Sequence, residues 1–186
     1  AHIVAALEAL AGDRVGEQVE RLAHHALRGE VWDKALVYCR QAGEKAMARS
    51  AHREAVGYFE QALSALPHMP EERDTREQAI DLRLALRSAL QPSADLGRIL
   101  ALLHETEALA EALGDLRRLG QVSVFLSRHF YVRGAYDQAI AAGQRALALA
   151  TASGEVGLYA QANYYLGTAY QAQGDYRRAI DCFRQT

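Results

Sequence analysis

The side chains in this 186-residue chain that could do chemistry are seven histidines, two cysteines and scattered pairs of carboxylates and serines. Their spacing argues against most of it. His24 and His25 invite a metal or acid/base reading, but adjacent helical residues point about 100° apart, so one helix cannot offer both rings to one ion. The histidines at 2, 24, 25, 52, 68, 104 and 129 form no H-x-x-x-H pair, and one of His24 and His25 is expected to pack inward with its ring nitrogen bonded. Cys39 and Cys182 lie far apart with no CxxC or CxxH around them, which reads as two small core residues in a reducing compartment.

Glu71 and Glu72, or Glu105 and Glu107, could serve as acid/base pairs, yet they sit among Arg and Ala in stretches expected to be solvated faces. Ser50, Ser123, Ser127 and Ser153 lack the G-x-S-x-G turn that exposes a nucleophile. No G-x-x-x-x-G-K-[ST] loop offers a cradle for phosphates. The expectation is a chain without catalytic residues, metal or cofactor.

What remains is the scaffold that would have to position a site. Half the residues are apolar, enough to bury a continuous core, and Ala, Leu, Arg, Glu and Gln dominate, with no convincing strand alternation. The formal charge is −2, so no field draws the chain toward nucleic acid or an anionic membrane. The N-terminal stretch has no basic leader and no window of about 20 apolar residues, and the expectation is a cytoplasmic protein. It opens without Met and stops inside a helical pattern at Thr186, so it is expected to be a fragment of something longer.

Pro67, Pro70 and Pro92, with Gly12, Gly29, Gly114, Gly134, Gly154 and Gly174, punctuate amphipathic runs. They predict helices over 2–11, 16–28, 32–49, 52–66, 73–90, 95–113, 115–133, 136–153, 155–173 and from 176 onward. Short connections then make consecutive helices antiparallel hairpins.

The phrase "GAYDQAI" at Gly134–Ile140 returns as "GDYRRAI" at Gly174–Ile180. An offset of that size in an all-helical chain predicts a solenoid, since one hairpin cannot bury both faces alone. From Asn163 the chain reads Asn163, Leu166, Gly167, Tyr170, then Ala179 and Phe183, which resembles the tetratricopeptide (TPR) pattern except at its Trp position. Gly167 and Ala179 stay small where two helices should cross closely. One period earlier the slots hold Leu126, Ser127, Phe130, Tyr136, Ala139 and Gly143. Trp32 falls in the slot of Tyr136 and Tyr176, and reads as core packing rather than a ligand cage.

The resemblance implies an all-α, TPR-like right-handed solenoid of about ten helices, a single fragment over residues 1–186. Within it, 1–70 holds hairpins of atypical register, 71–120 a degenerate repeat, and 120–186 two long repeats of 40-residue period, the last cut short.

The run "LAHHALRGEVWDKALVYCRQAGEKAMARSAHREAVGYFEQAL", together with the "LAEALGDLRRLGQ" stretch, resembles a more particular family. It is similar to the helical region that follows the STAND/AAA-type ATPase in bacterial multidomain signalling proteins, of adenylate/guanylate cyclase or transcriptional-regulator type. That resemblance implies a non-catalytic regulatory module binding a protein, a peptide or another part of its parent chain, while the charge and the lack of a long apolar window lead us to expect neither nucleic acid nor membrane as partner.

Carrying the TPR register onto this chain, the inner-face slots are Gln121, Val124, Arg128 and Tyr131, then Gln161, Tyr164, Thr168 and Gln171. Of these, Gln121, Arg128, Tyr131, Gln161, Tyr164, Thr168 and Gln171 are the candidate peptide-binding residues, since amides can bond a peptide backbone while Tyr and Arg carry contact energy. The competing readings are a structural spacer or self-association module, and a small-molecule-sensing domain. Self-association would be a homodimer through Tyr176, Ile180 and Phe183, which are expected to be exposed at the last hairpin.

Overall fold

The computed structural model describes residues 2–186, in two compact units divided between Asp95 and Leu96. In the N-terminal unit, α1 (His2–Ala11) runs through a 3-10 segment (Gly12–Glu17) to α2 (Val19–Arg28). Then come α3 (Trp32–Ala48), α4 (His52–Ala65) and α5 (Arg73–Leu90), with short 3-10 turns at Leu66–His68 and Gln91–Ser93. The C-terminal unit is α6 (Leu96–Leu113), α7 (Leu116–Val132), α8 (Tyr136–Ser153), α9 (Val156–Gln173) and α10 (Tyr176–Phe183). No strand occurs among the described residues.

Nine of the predicted helices fall where the punctuation puts them, within two residues at either end and with the final one closing at Phe183. The exception is the predicted 16–28 helix, which begins only at Val19. Gly12 stands at φ +49° and Arg14 has non-helical angles, and two glycines within five residues remove the backbone bias an α-turn needs.

The joints explain the repeated phrase. Gly134 takes φ +73°, its N–H donates to Tyr131 O at 3.0 Å, and the next N–H, of Ala135, reaches Phe130 O at 2.9 Å. Gly174 and Asp175 repeat both bonds on Gln171 and Tyr170. This is the Schellman closure, which satisfies the last carbonyls of one helix and turns the chain into the next.

In the N-terminal unit the same closure falls on residues with a Cβ. Glu30 (φ 53°) and Ser50 (φ 58°) hold the left-handed position, and Val31 N–H and Ala51 N–H make the reach-back bonds at 3.0 and 2.9 Å. The predicted stop at Gly29 is therefore displaced by one residue onto Glu30.

Packing follows the small residues. In the N-terminal unit, Leu22, Ala26, Ala35, Cys39, Ala42 and Phe59 are at most 1% exposed, and Gly43 admits the Phe59 ring so closely that a Cβ would lie 2.5 Å from it. In the C-terminal unit, Ala179 is buried at the last crossing and a Cβ on Gly167 would stand 2.7 Å from the Phe183 ring. Ser127 holds the equivalent place one period earlier, where its hydroxyl donates to Ala139 O at 2.8 Å. A polar residue is thus tolerated at a crossing because the crossing helix supplies its acceptor.

Trp32 departs from the core expectation: it is half-buried and stacks flat on His68, centroids 3.9 Å apart at 9°. Opening α3 just after a turn, it meets the 3-10 turn following α4 rather than the interior.

Candidate interaction face on helices α7 and α9

The surface chemistry of the C-terminal unit starts from an unusual composition. Across the eighteen residues of α9, VGLYAQANYYLGTAYQAQ, there is no charged side chain, and α7 carries basic residues but no acid. The two helices pack side by side, helped by Gly120, where a Cβ would lie 2.6 Å from Leu158 Cδ2. Below them Val124, Ala146, Ala150, Leu158 and Ala162 form a core cluster.

The start of α7 is held by Asp115. Its carboxylate accepts from Arg118 N–H at 2.9 Å and from the Arg118 guanidinium at 2.6 Å. Burial pushes the Asp115 carboxyl upward, but these two donors outweigh it and hold the group below its usual range. Asp175 repeats the cap on α10 through Arg178 N–H at 3.1 Å.

Of the predicted face residues, Tyr131, Gln161, Tyr164 and Gln171 are exposed, and Gln121, Arg128 and Thr168 are half-buried. Val124, placed in the same row by register, is fully buried under Leu158 and Ala162, because the next helix of the array lies over it. Tyr164, one period later, occupies the same slot uncovered. Its ring stands edge-on to Tyr165 at 5.2 Å and tilts toward Phe183 at 6.2 Å. Thr168 donates to Tyr165 O at 2.7 Å, and Tyr131 lies 6.2 Å from Tyr136.

The candidate chemical groups lie elsewhere. His24 is exposed and His25 half-buried, their rings edge-to-face at 5.4 Å. Among the described residues no three of His, Cys, Asp and Glu come together as a metal site would require. Ser123 is buried and donates to Leu119 O at 2.9 Å. Cys39 is buried, and desolvation pushes its thiol up to about 12, far from a reactive thiolate. Cys182 is half-buried beside Leu166 and Tyr170, its thiol also raised by burial.

The carboxylate reading needs one correction. Glu107, expected on a solvated face, is only 16% exposed at its side chain, because Arg145 of α8 reaches across to bind it together with Glu111 at 2.6 Å. This clamp ties α6 to α8. Its signal was the i, i+4 spacing of two acids on one helix face, which offers two carboxylates to one guanidinium. A second cluster that spacing did not announce joins α1 to α3: the Glu8 carboxylate accepts from Lys34 Nζ at 2.5 Å and from the Tyr38 hydroxyl. The Lys34 bond, then the Tyr38 bond, lower the Glu8 carboxyl, while burial and that carboxylate push Tyr38 up to about 12. Among the described residues no helix is long and apolar enough to cross a membrane.

Comparison with known proteins agrees with this architecture. The tetratricopeptide repeat family model matches residues 118–186, the two hairpins α7–α8 and α9–α10. A search of curated proteins finds no match. Among solved structures, BtubC (BKLC) from P. vanneervenii superposes with a TM-score of 0.72 at 18% identity, covering 99% of this chain and 84% of its own. A putative kinesin light chain from Podosopora anserina with nearly identical TPR-like repeats gives 0.66 at 17% identity, covering 99% and 90%. A Rap protein complexed with Competence and Sporulation Factor gives 0.65 at 14%, covering 88% of this chain, which spans 50% of the Rap chain. The fold is that of an all-α, TPR-like right-handed solenoid of helical hairpins.

Proposed function

We propose that the chain is a non-catalytic interaction module that binds a protein or peptide segment along α7 and α9, the inner helices of the TPR-like hairpins. Tyr131, Gln161 and Gln171 are the exposed contacts, with Gln121, Arg128 and Thr168 flanking them. Tyr164 stands at the outer edge of this face, since its repeat equivalent Val124 belongs to the core. The observation that carries the reading is α9 itself: a helix that exposes amides and tyrosine without one charge offers hydrogen bonds and flat apolar surface, the currency of backbone recognition. The Rap structure supports it by analogy, as a similar fold that holds a partner. The resemblance of the sequence to STAND-linked helical regions adds the setting, a cytoplasmic part of a larger bacterial signalling protein with an ATPase and a cyclase or transcription-regulator effector.

Screening a peptide library against the purified chain tests this. The double variant Tyr131→Ala/Gln171→Ala should weaken the best binder by about tenfold or more while circular dichroism and melting stay unchanged. A binder indifferent to both substitutions removes this face from the account.

A further inference from the structure

Three helices of the array bury one side through the same spacing. In α4, Ala55, Phe59 and Ala62 are buried at i, i+4 and i+7, and α2 repeats this with Val19, Ala23 and Ala26. In α8 the three places are Ala139, Gly143 and Ala146. Two, five and nine residues after the first of each set lies the opposite side of the helix. In α8 that side is Ala141, Gln144 and Ala148, all exposed, although α7 and α9 both pack on this helix. In α4, packed by α3 and α5, it is Gly57, Glu60 and Ser64, of which only Gly57 is half-buried. Hairpin packing on both sides thus leaves this side of the helix open to solvent.

In α2 the same three places hold Arg21, His24 and Arg28, all exposed. At i, i+3 and i+7 they form one row about 10 Å long. His25 stands beside the row, its ring edge-on to His24 at 5.4 Å. The one acid of α2, Glu20, is drawn toward α3, where Lys45 Nζ donates to it at 3.0 Å and Arg49 lies 3.6 Å away. Neither α4 nor α8 puts a basic residue in any of the three places.

We propose that the Arg21, His24 and Arg28 row docks an acidic helical peptide, with carboxylates at i, i+3 or i+4, and i+7, and that the histidines tighten the complex below neutral pH. Charge spread over about 10 Å suits several carboxylates, whereas one phosphate needs its donors to converge. The row has no apolar anchor for a bilayer, since Leu22, Ala23 and Ala26 are buried beneath it. A formal charge of −2 gives no wider field for a polyanion such as nucleic acid, while a short acidic helix needs only the local complement.

Histidine gains its charge below about pH 6.5 and glutamate keeps its own down to about 4.3, so both partners are charged between the two. Of the elements packed on α2, α1 carries Glu8, which Lys34 and Tyr38 hold, and α3 brings Lys45 and Arg49, both on Glu20. The 3-10 segment carries the exposed Arg14 and Glu17.

The probe is a fluorescein-labelled, alanine-based helical peptide with Glu at i, i+3 and i+7, compared with its Gln counterpart by anisotropy on the whole chain. At about pH 6 the Glu peptide should bind about tenfold more tightly, and the difference should shrink as salt rises. Arg21→Gln/Arg28→Gln should erase that preference with helicity unchanged. His24→Gln/His25→Gln should keep the affinity seen at about pH 7.5 and lose the gain of about fivefold expected at about pH 5.5. Equal binding of the two peptides, indifference to the arginine changes, or one affinity at both pH values would overturn the proposal. So would tighter binding to phosphatidylserine–phosphatidylcholine vesicles or to a single-stranded oligonucleotide. The Tyr131→Ala/Gln171→Ala variant should bind the Glu peptide normally, so this row and the α7–α9 face stand or fail separately.

Discussion

Two glycines inside helices of the same hairpin show how the neighbour, and not the residue, sets the sign of a substitution. Gly43 in α3 faces the Phe59 ring with no room for a methyl group, and Phe59 is 1% exposed, so the ring has nowhere to go. Gly57 in α4 has nothing within 4 Å of where its Cβ would be. Ala at position 43 forces overpacking at about 1–3 kcal/mol, whereas Ala at 57 removes backbone freedom from the unfolded chain and gains about 0.5–1 kcal/mol. Urea denaturation of Gly43→Ala and Gly57→Ala should therefore move the midpoint in opposite directions. Two shifts of the same sign would mean the α3–α4 crossing is looser than the Phe59 contact implies. This crossing was legible in the sequence by the same spacing as the last one, since Gly43, Ala55 and Phe59 stand at the intervals of Gly167, Ala179 and Phe183, and the structure gives both pairs the same glycine-to-ring contact.

At the scale of the helix, the termini are where sequence and structure agreed best and where they parted. Gly134 and Gly174 marked their joints because only glycine takes the left-handed closure without cost, and the helices between them were legible to within two residues. Glu30 and Ser50 close helices in the same conformation with a Cβ, and nothing in their residue type announces it. The N-cap of α7 was legible as Asp115, but its ion pair with Arg118 came only with the helix built.

That pair makes a pH prediction. The folded Asp115 carboxyl is held below its unfolded value, so its contribution is present above the unfolded pKa, about 3.9, and is lost as pH falls through the folded one. Asp115→Asn keeps a cap but not the charge. It should cost about 1 kcal/mol at neutral pH, and its stability should fall less steeply than that of the parent chain as pH drops below about 4. Parallel stability curves for the two proteins across that range would show that Arg118 gives the carboxylate nothing.

Across the molecule, burial is concentrated in helices that have neighbours on both sides, and local stability should follow it. In the C-terminal unit, α7 packs against α6, α8 and α9 and buries residues on most of its circumference, from Arg118 to His129. By contrast α10 packs on α9 and buries Ala179 alone. In the N-terminal unit, α3 is enclosed by α2 and α4, while α1 buries only Val4 and is tied on by the Glu8 contacts to Lys34 and Tyr38. A hairpin array unfolds from its least-covered elements because each helix contacts only near neighbours, so opening one does not require opening all. Hydrogen exchange should therefore be slowest in α7 and α3, and faster in α10 and α1 by about two orders of magnitude or more, as a gap of about 3 kcal/mol in opening free energy requires. Exchange in α10 as slow as in α7 would mean that Tyr164, Tyr176 and Ile180 are covered in solution.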